Sequence, residues 1–182
     1  EEKQLKGLPD QVKEMAAEIA KSKNKTGWIF TLDYPSYVPF MSYIEDRTLR
    51  RKMSLAFGKI GFRENGHNNS EIILKIIKLR KKRAELLGYE SHANFVLEER
   101  MAGSEENVNN FLEDLYQKAL PAAKKEWEEI MHFAKKNLNL DKIEKWDTAY
   151  ISEKLKKEQL DLDEQQLKPY FTLEKVKIGL FE

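Results

Sequence analysis

The segment 68–103 constrains the fold most, because it predicts two helices joined at a glycine. Asn68 or Asn69 can cap the first helix, since a short side-chain oxygen accepts from a free amide of the first turn. Gly88 tolerates the left-handed conformation that often ends a helix, and Ser91 is expected to cap the second helix. The apolar residues of the first helix lie mostly three and four positions apart, as on one helix face: Ile72, Ile73, Ile76, Ile77, Leu79, Leu86 and Leu87.

Composition narrows the class of protein. The chain has 182 residues, enough for one domain with a core. Its 32 Lys and Arg residues nearly balance its 31 Asp and Glu residues, which argues against a dedicated nucleic-acid binder. It contains no cysteine, so disulfides and thiol chemistry are excluded. No apolar run approaches the ~20 residues that cross a bilayer, so no membrane partner is expected.

These patterns predict an all-α fold: a single helical, bundle-like segment over residues 1–182, with one short strand or hairpin near residues 28–32. The run 28–32 is aromatic and β-branched, and Gly27 and Asp33 bound it. A lone strand would leave its backbone amides unpaired. Its partner is therefore expected to be a short neighbouring segment or to lie outside this chain.

Further local signals predict the ends of other helices. Ser36 is expected to cap a short helical turn, and Asp147 is expected to cap a helix near the carboxyl end. Asp163 with Gln166 has the spacing of a capping box. Pro121 interrupts a long apolar pattern, and it predicts either one bent helix or two helices with a break.

No pattern supplies a catalytic or metal-binding residue. The run 63–67, Arg-Glu-Asn-Gly-His, has the spacing of the zinc-peptidase HExxH motif. Its arginine stands where the first histidine belongs, and arginine has no lone pair for zinc. His92 has no second ligand one turn away, so a structural hydrogen bond is expected for it. Glu128 and His132 could form a ligand pair, but surface pairs of this kind are common and weak.

A basic cluster on the first helix of the segment 68–103 permits two interpretations. It could bind anions or nucleic acid, or it could be a solvated face balanced by nearby acids. The near-zero net charge favours the solvated face. The cluster consists of Lys75, Lys78, Arg80, Lys81, Lys82 and Arg83.

Four motifs resemble a known family. The run GYESHANFVLEERMA over residues 88–102 follows an EIxLxIxxLRxxxAxLLGY pattern, and the run 27–41 is similar to FTLDxPxYxPxM. Trp146, Asp147 and Tyr150 match a WDxxYY element, with Ile151 in place of the second tyrosine. Residues 167–171 match LKPYF. Together these resemble the zinc metallopeptidases that include thimet oligopeptidase, oligopeptidase A and bacterial peptidyl-dipeptidase, and FTLDYPSY places the chain nearest the peptidyl-dipeptidase branch.

The resemblance implies a longer parent enzyme that hydrolyses short peptides with zinc held by an HExxH pair and a later glutamate. In the family those ligands follow LKPYF, so the chain is expected to be an internal fragment without the zinc-binding part. Alone, it is expected to be inactive and to bind no zinc. It would supply scaffold and channel wall to a monomeric, cytoplasmic enzyme with neither nucleic acid nor membrane as a partner.

Three tyrosines are candidates for the channel wall: Tyr34, Tyr37 and Tyr43. Aromatic residues at this spacing also pack corners between helices, which is the alternative for all three. A different class of function is a helical module that binds a protein or peptide in a groove lined by these tyrosines and Phe40. Nucleic-acid binding through the basic cluster is a third.

Overall fold

The computed structural model describes residues 2–63, 66–161, 167 and 170–181, and within these ranges the fold is helical without a β-strand. The all-α prediction is confirmed. After a 3₁₀ turn at Glu2–Leu5, the helices are α1 (Asp10–Ser22), α2 (Tyr34–Tyr43), α3 (Arg47–Gly58), α4 (Ser70–Leu86), α5 (His92–Leu97), α6 (Glu105–Leu138), α7 (Thr148–Leu160) and α8 (Leu173–Phe181).

The chain divides into two compact units. The first comprises Glu1–Gly58 and Ile130–Glu182, and the second comprises Lys59–Glu129. The first unit contains two clusters of buried apolar side chains. The larger cluster is formed by Leu5, Leu8, Val12, Phe40, Met41, Ile44 and Met53, and the smaller by Phe133, Ala134, Tyr150 and Ile151. Phe30 packs edge-on against Phe40 with ring centroids 4.7 Å apart.

The described residues of the second unit form no comparable core. Ala84 is the one fully buried side chain among its described residues. Local contacts join α4 to α5: the Arg83 guanidinium lies 4.8 Å from the centre of the Phe95 ring. The predicted helix ends at Gly88 and Ser91 are confirmed, since Gly88 has a φ of +82° and the Ser91 hydroxyl accepts from the Asn94 amide at 3.0 Å. At the start of α4, Asn69 occupies the N-cap position but makes no side-chain cap hydrogen bond.

The strand predicted at residues 28–32 is wrong. The described residues contain no partner strand, and two amides of this segment find other acceptors. The Ile29 amide donates to the Ala16 carbonyl of α1 at 2.9 Å. The Thr31 amide donates to the Ser36 hydroxyl at 3.0 Å. A helix carbonyl and a side-chain hydroxyl thus replace the hydrogen bonds to a neighbouring strand that the β-branched composition had suggested.

One helix start differs from expectation, whereas the single helix at Pro121 is one of the two predicted alternatives. Helix α2 begins at Tyr34, with Pro35 in its first turn, so Ser36 lies inside the helix rather than at its cap. Proline is well tolerated there because its missing amide has no partner in a first turn. Helix α6 continues through Pro121 without a break. The capping box predicted at residues 163 and 166 lies outside the described residues.

Candidate functional site

The most deeply buried charged group of the described residues is an arginine–aspartate pair in the first unit. Arg50 is 2% exposed and Asp147 is 0% exposed. Arg50 Nη2 donates to Asp147 Oδ1 at 3.2 Å, and Arg47 Nη2 donates to Asp147 Oδ2 at 2.7 Å. The Glu144 amide supplies a further hydrogen bond to Asp147 Oδ2 at 3.1 Å. The carboxylate is therefore fully engaged by two guanidinium groups and one backbone amide.

The remaining donors of Arg50 bind backbone carbonyls. Nη1 donates to Ile44 at 2.7 Å and to Glu45 at 3.1 Å, and Nε donates to Trp146 at 3.2 Å. The guanidinium also lies 4.1 Å from the centre of the Tyr150 ring. Arg50 thus joins the end of α2, its own helix α3 and the start of α7.

The pKa values of this group follow from its contacts. Burial alone would raise the pKa of Asp147, but hydrogen bonds from Arg47, the Glu144 amide and Arg50 together hold it below its ordinary value. The hydrogen bond to Asp147 raises the pKa of Arg47. Burial, aided by the negative charge of Glu45, raises the pKa of the Tyr150 phenol. Asp147 is therefore ionised and paired at neutral pH.

This arrangement suits a structural role rather than a catalytic one. The Asp147 carboxylate is shielded from solvent, and no oxygen remains for a substrate or a metal ion. Asp147 makes no side-chain cap for α7, contrary to the prediction. Arg50 was not predicted as a site residue. Its spacing was the available signal, since it lies three and four positions before Met53 and Ser54, on the same helix face. All three residues are buried on α3.

The structure does not bring the three candidate tyrosines together. Tyr34 and Tyr43 are nine positions apart, which places them on opposite sides of α2. Tyr34 is 73% exposed. Tyr37 stacks on Phe57 with ring centroids 4.2 Å apart. The Tyr43 hydroxyl donates to Glu153 Oε1 at 3.2 Å.

One of these tyrosines lines a cavity. The cavity, of about 350 Å³, lies in the first unit, and its walls come from Gly7, Pro9, Asp10, Ser42, Tyr43, Glu153, Lys154 and Lys157. Neither Tyr34 nor Tyr37 contributes to it. Phe40 is buried in the larger apolar cluster, so the four aromatic residues of α2 do not line a single groove.

The histidine patterns give no metal centre. Within the described ranges, no group of three His, Asp or Glu side chains is arranged to hold a metal ion. Glu64 and Asn65 of the HExxH-like run lie outside those ranges. The buried Nδ1 of His92 has no hydrogen-bond partner among the described residues, so the predicted structural hydrogen bond is not found at that nitrogen.

The basic cluster of α4 is exposed, and two of its members have local partners. Lys81 Nζ lies 3.7 Å from Glu85 Oε1 one turn along the helix, and Arg83 covers the Phe95 ring. These contacts agree with a solvated face. In the part of the chain that the structure describes, no helix is both long enough and apolar enough to span a membrane.

Comparison with known proteins identifies the protein family of this chain. The model of Peptidase family M3 matches residues 40–182, and the chain belongs to that family. It is 36% identical over 187 residues to oligopeptidase A of Salmonella typhimurium, a match that covers 100% of this chain and 27% of the relative. It is 34% identical over 191 residues to "probable cytosolic oligopeptidase A" of Arabidopsis thaliana, with the same two shares. Dipeptidyl carboxypeptidase of Escherichia coli is 30% identical over 174 residues, covering 95% of this chain and 26% of the relative.

The family predicted from the motifs is confirmed, and the chain spans about a quarter of the length of these curated relatives. The three identities do not favour the peptidyl-dipeptidase branch over oligopeptidase A. The structure gives the Trp146, Asp147 and Tyr150 motif a physical role, since all three residues contact Arg50. Lys168 and Pro169 of the LKPYF motif lie outside the described residues.

Proposed function

We propose that the chain is a scaffold and channel-wall segment of a longer zinc metallopeptidase that hydrolyses short peptides. The observation that carries the proposal is the match of the whole chain to 27% of oligopeptidase A. The described residues do not fit a zinc ion, because they provide no group of three ligands. The metal and the chemistry would therefore come from other parts of the enzyme.

The buried pair is the main contribution of this segment to such an enzyme. Arg50 and Asp147 connect residues that are 97 positions apart in sequence, so the helices that carry them are fixed relative to one another. A rigid wall of this kind would preserve the shape of a peptide channel. The Arabidopsis relative is named a cytosolic enzyme, which supports a cytoplasmic location for this protein.

A chimera tests the proposal. This chain would replace the matching segment of Salmonella oligopeptidase A, and the product would be assayed with a quenched fluorogenic peptide. We expect hydrolysis that a chelator abolishes and added zinc restores. The isolated chain and oligopeptidase A without the segment serve as controls, and both should be inactive. Stoichiometric zinc in the isolated chain together with peptide hydrolysis would refute the proposal, as would a folded, zinc-loaded chimera without activity.

Tyr34 is the channel-wall candidate best placed to meet a substrate, since it is exposed and has no ring partner among the described residues. In the chimera, Tyr34→Ala should raise KM about tenfold with little change in kcat, as expected when binding shared by substrate and transition state is removed. The matched control is Tyr170→Ala, at another exposed tyrosine. Equal kinetics for the two variants would remove Tyr34 from the channel.

A further inference from the structure

Helix α4 carries an apolar surface that the described residues of its own unit leave exposed. Six apolar residues within the segment 72–79 are each 42–59% exposed: Ile72, Ile73, Leu74, Ile76, Ile77 and Leu79. At 3.6 residues per turn these side chains span about 220° of the helix circumference. A solvated surface helix has a narrower apolar stripe, and a helix this apolar is usually enclosed on more than one side. We call these six residues the α4 face.

The opposite side of α4 carries lysines and is expected to stay exposed to solvent. We call it the lysine side. Lys75, Lys78 and Lys82 project there and are exposed. Burying them would remove three ammonium groups from water, which is costly for any that is left unpaired. Over residues 72–79, helix α4 therefore has an apolar side and a lysine side, as in a helix that packs against a larger body.

The same unit presents a second uncovered apolar stripe on α6. Phe111, Leu112, Leu115 and Tyr116 are spaced one, three and four positions apart and are 47–62% exposed. Ala84 alone is buried in this unit, among its described residues. Exposed apolar area on this scale is typical of a binding surface rather than of a free monomer.

We infer that the α4 face docks onto the remainder of a family M3 chain, and this inference rests on the proposed function. Two observations identify the partner that would cover the α4 face. The relatives contain roughly three times as much chain outside the matched 27% as within it. A second copy of this chain would cover one self-complementary patch, whereas the α4 face is wider than one helix neighbour covers and α6 presents a separate stripe. A larger, different body meets both requirements.

The test uses the same chimera with a different readout. Ile73→Asn/Ile77→Asn places two asparagines in the α4 face. The control, Lys78→Asn/Lys82→Asn, places two asparagines with the same spacing on the lysine side. In the isolated chain the two variants should have equal helicity by circular dichroism. In the chimera the isoleucine variant should lower Tm by at least about 5 °C more than the lysine variant, because it buries unpaired amides.

Hydrogen exchange provides a measurement that needs no variant. Amides of α4 should exchange at least tenfold more slowly in the chimera than in the isolated chain. Equal exchange, or equal Tm values for the two variants, would overturn the docking inference even if the chimera hydrolyses peptides. A chimera that protects α4 without hydrolysing peptides would support docking and refute the proposed function. Dimers of the isolated chain that the isoleucine variant abolishes in sedimentation would identify a second copy as the occupant and overturn the inference.

Discussion

Arg50 shows how one side chain can connect three helices. Its five donors suit several acceptors in fixed directions, which a lysine ammonium cannot match. In this chain the acceptors are the Asp147 carboxylate and the carbonyls of Ile44, Glu45 and Trp146. A buried charge is costly unless it is paired and hydrogen-bonded. The group is therefore stable only while every partner remains in place.

Removing Asp147 should be severely destabilising. Asp147→Ala leaves Arg50 buried without its counter-charge, and breaking a buried pair in this way costs about 3–5 kcal/mol. The free energy of unfolding can be measured by urea denaturation. Asp141→Ala is the matched control, because Asp141 is exposed and lies 3.7 Å from Lys135; it should change stability by less than about 0.5 kcal/mol. Similar losses for the two variants would contradict the role given to the buried pair.

The lowered pKa of Asp147 predicts a dependence of stability on pH. The ionised carboxylate stabilises the folded chain fully above its unfolded pKa of about 3.9, and this contribution disappears as pH falls through the lower folded pKa. The difference in unfolding free energy between the natural chain and Asp147→Asn should thus be constant above about pH 5 and shrink below about pH 4. A difference that grows in acid would show that Asp147 is not held ionised.

At the scale of elements, a glycine allows close approach between the amino-terminal segment and α2. Gly7 has a φ of +92°, and a Cβ at this position would lie 2.2 Å from the Tyr43 carbonyl oxygen. Such a contact is with backbone, so it cannot be relieved by a side-chain rotation. The Glu45 amide also donates to the Lys6 carbonyl at 3.0 Å, which fixes the two segments at this point.

Gly7→Ala should therefore be far more destabilising than a matched change at Gly27. Gly27 has a similar φ of +86°, but a Cβ there would meet no atom within 4 Å. Gly27→Ala should lose only the backbone term of about 1–2 kcal/mol, whereas Gly7→Ala adds a steric clash and should lose at least about twice as much. Thermal unfolding of the two variants gives the comparison. Equal losses of stability would mean that the backbone at Tyr43 shifts at little cost to accommodate the added Cβ.

At the scale of the whole molecule, the two units differ in how much apolar surface they bury. The first unit has two buried apolar clusters, whereas the described residues of the second have one fully buried side chain. Regions with few buried contacts open at lower free energy. The units should therefore differ in local stability.

Limited proteolysis of the isolated chain should cut the unit 59–129 first. Trypsin has many sites in both units, including the exposed lysines of α4 and those of α1, so site number does not decide the outcome. We expect early cleavage after α4 lysines and later cleavage in α1, with fragments identified by mass spectrometry. Cleavage of α1 at the same rate would show that the buried clusters of the first unit do not protect it.

The helical class, the helix ends at Gly88 and Ser91, and the family follow from the amino-acid sequence alone. These depend on periodicity and capping within a few neighbouring residues, or on motifs that stand in the chain. The three-dimensional fold was needed to show that Arg50 pairs with Asp147 across 97 positions, and that Ile29 and Thr31 bond to α1 and Ser36 instead of to a partner strand. It also decided that Tyr34 and Tyr43 face opposite sides of α2. Long-range pairing depends on how helices approach one another, and local patterns do not encode that geometry.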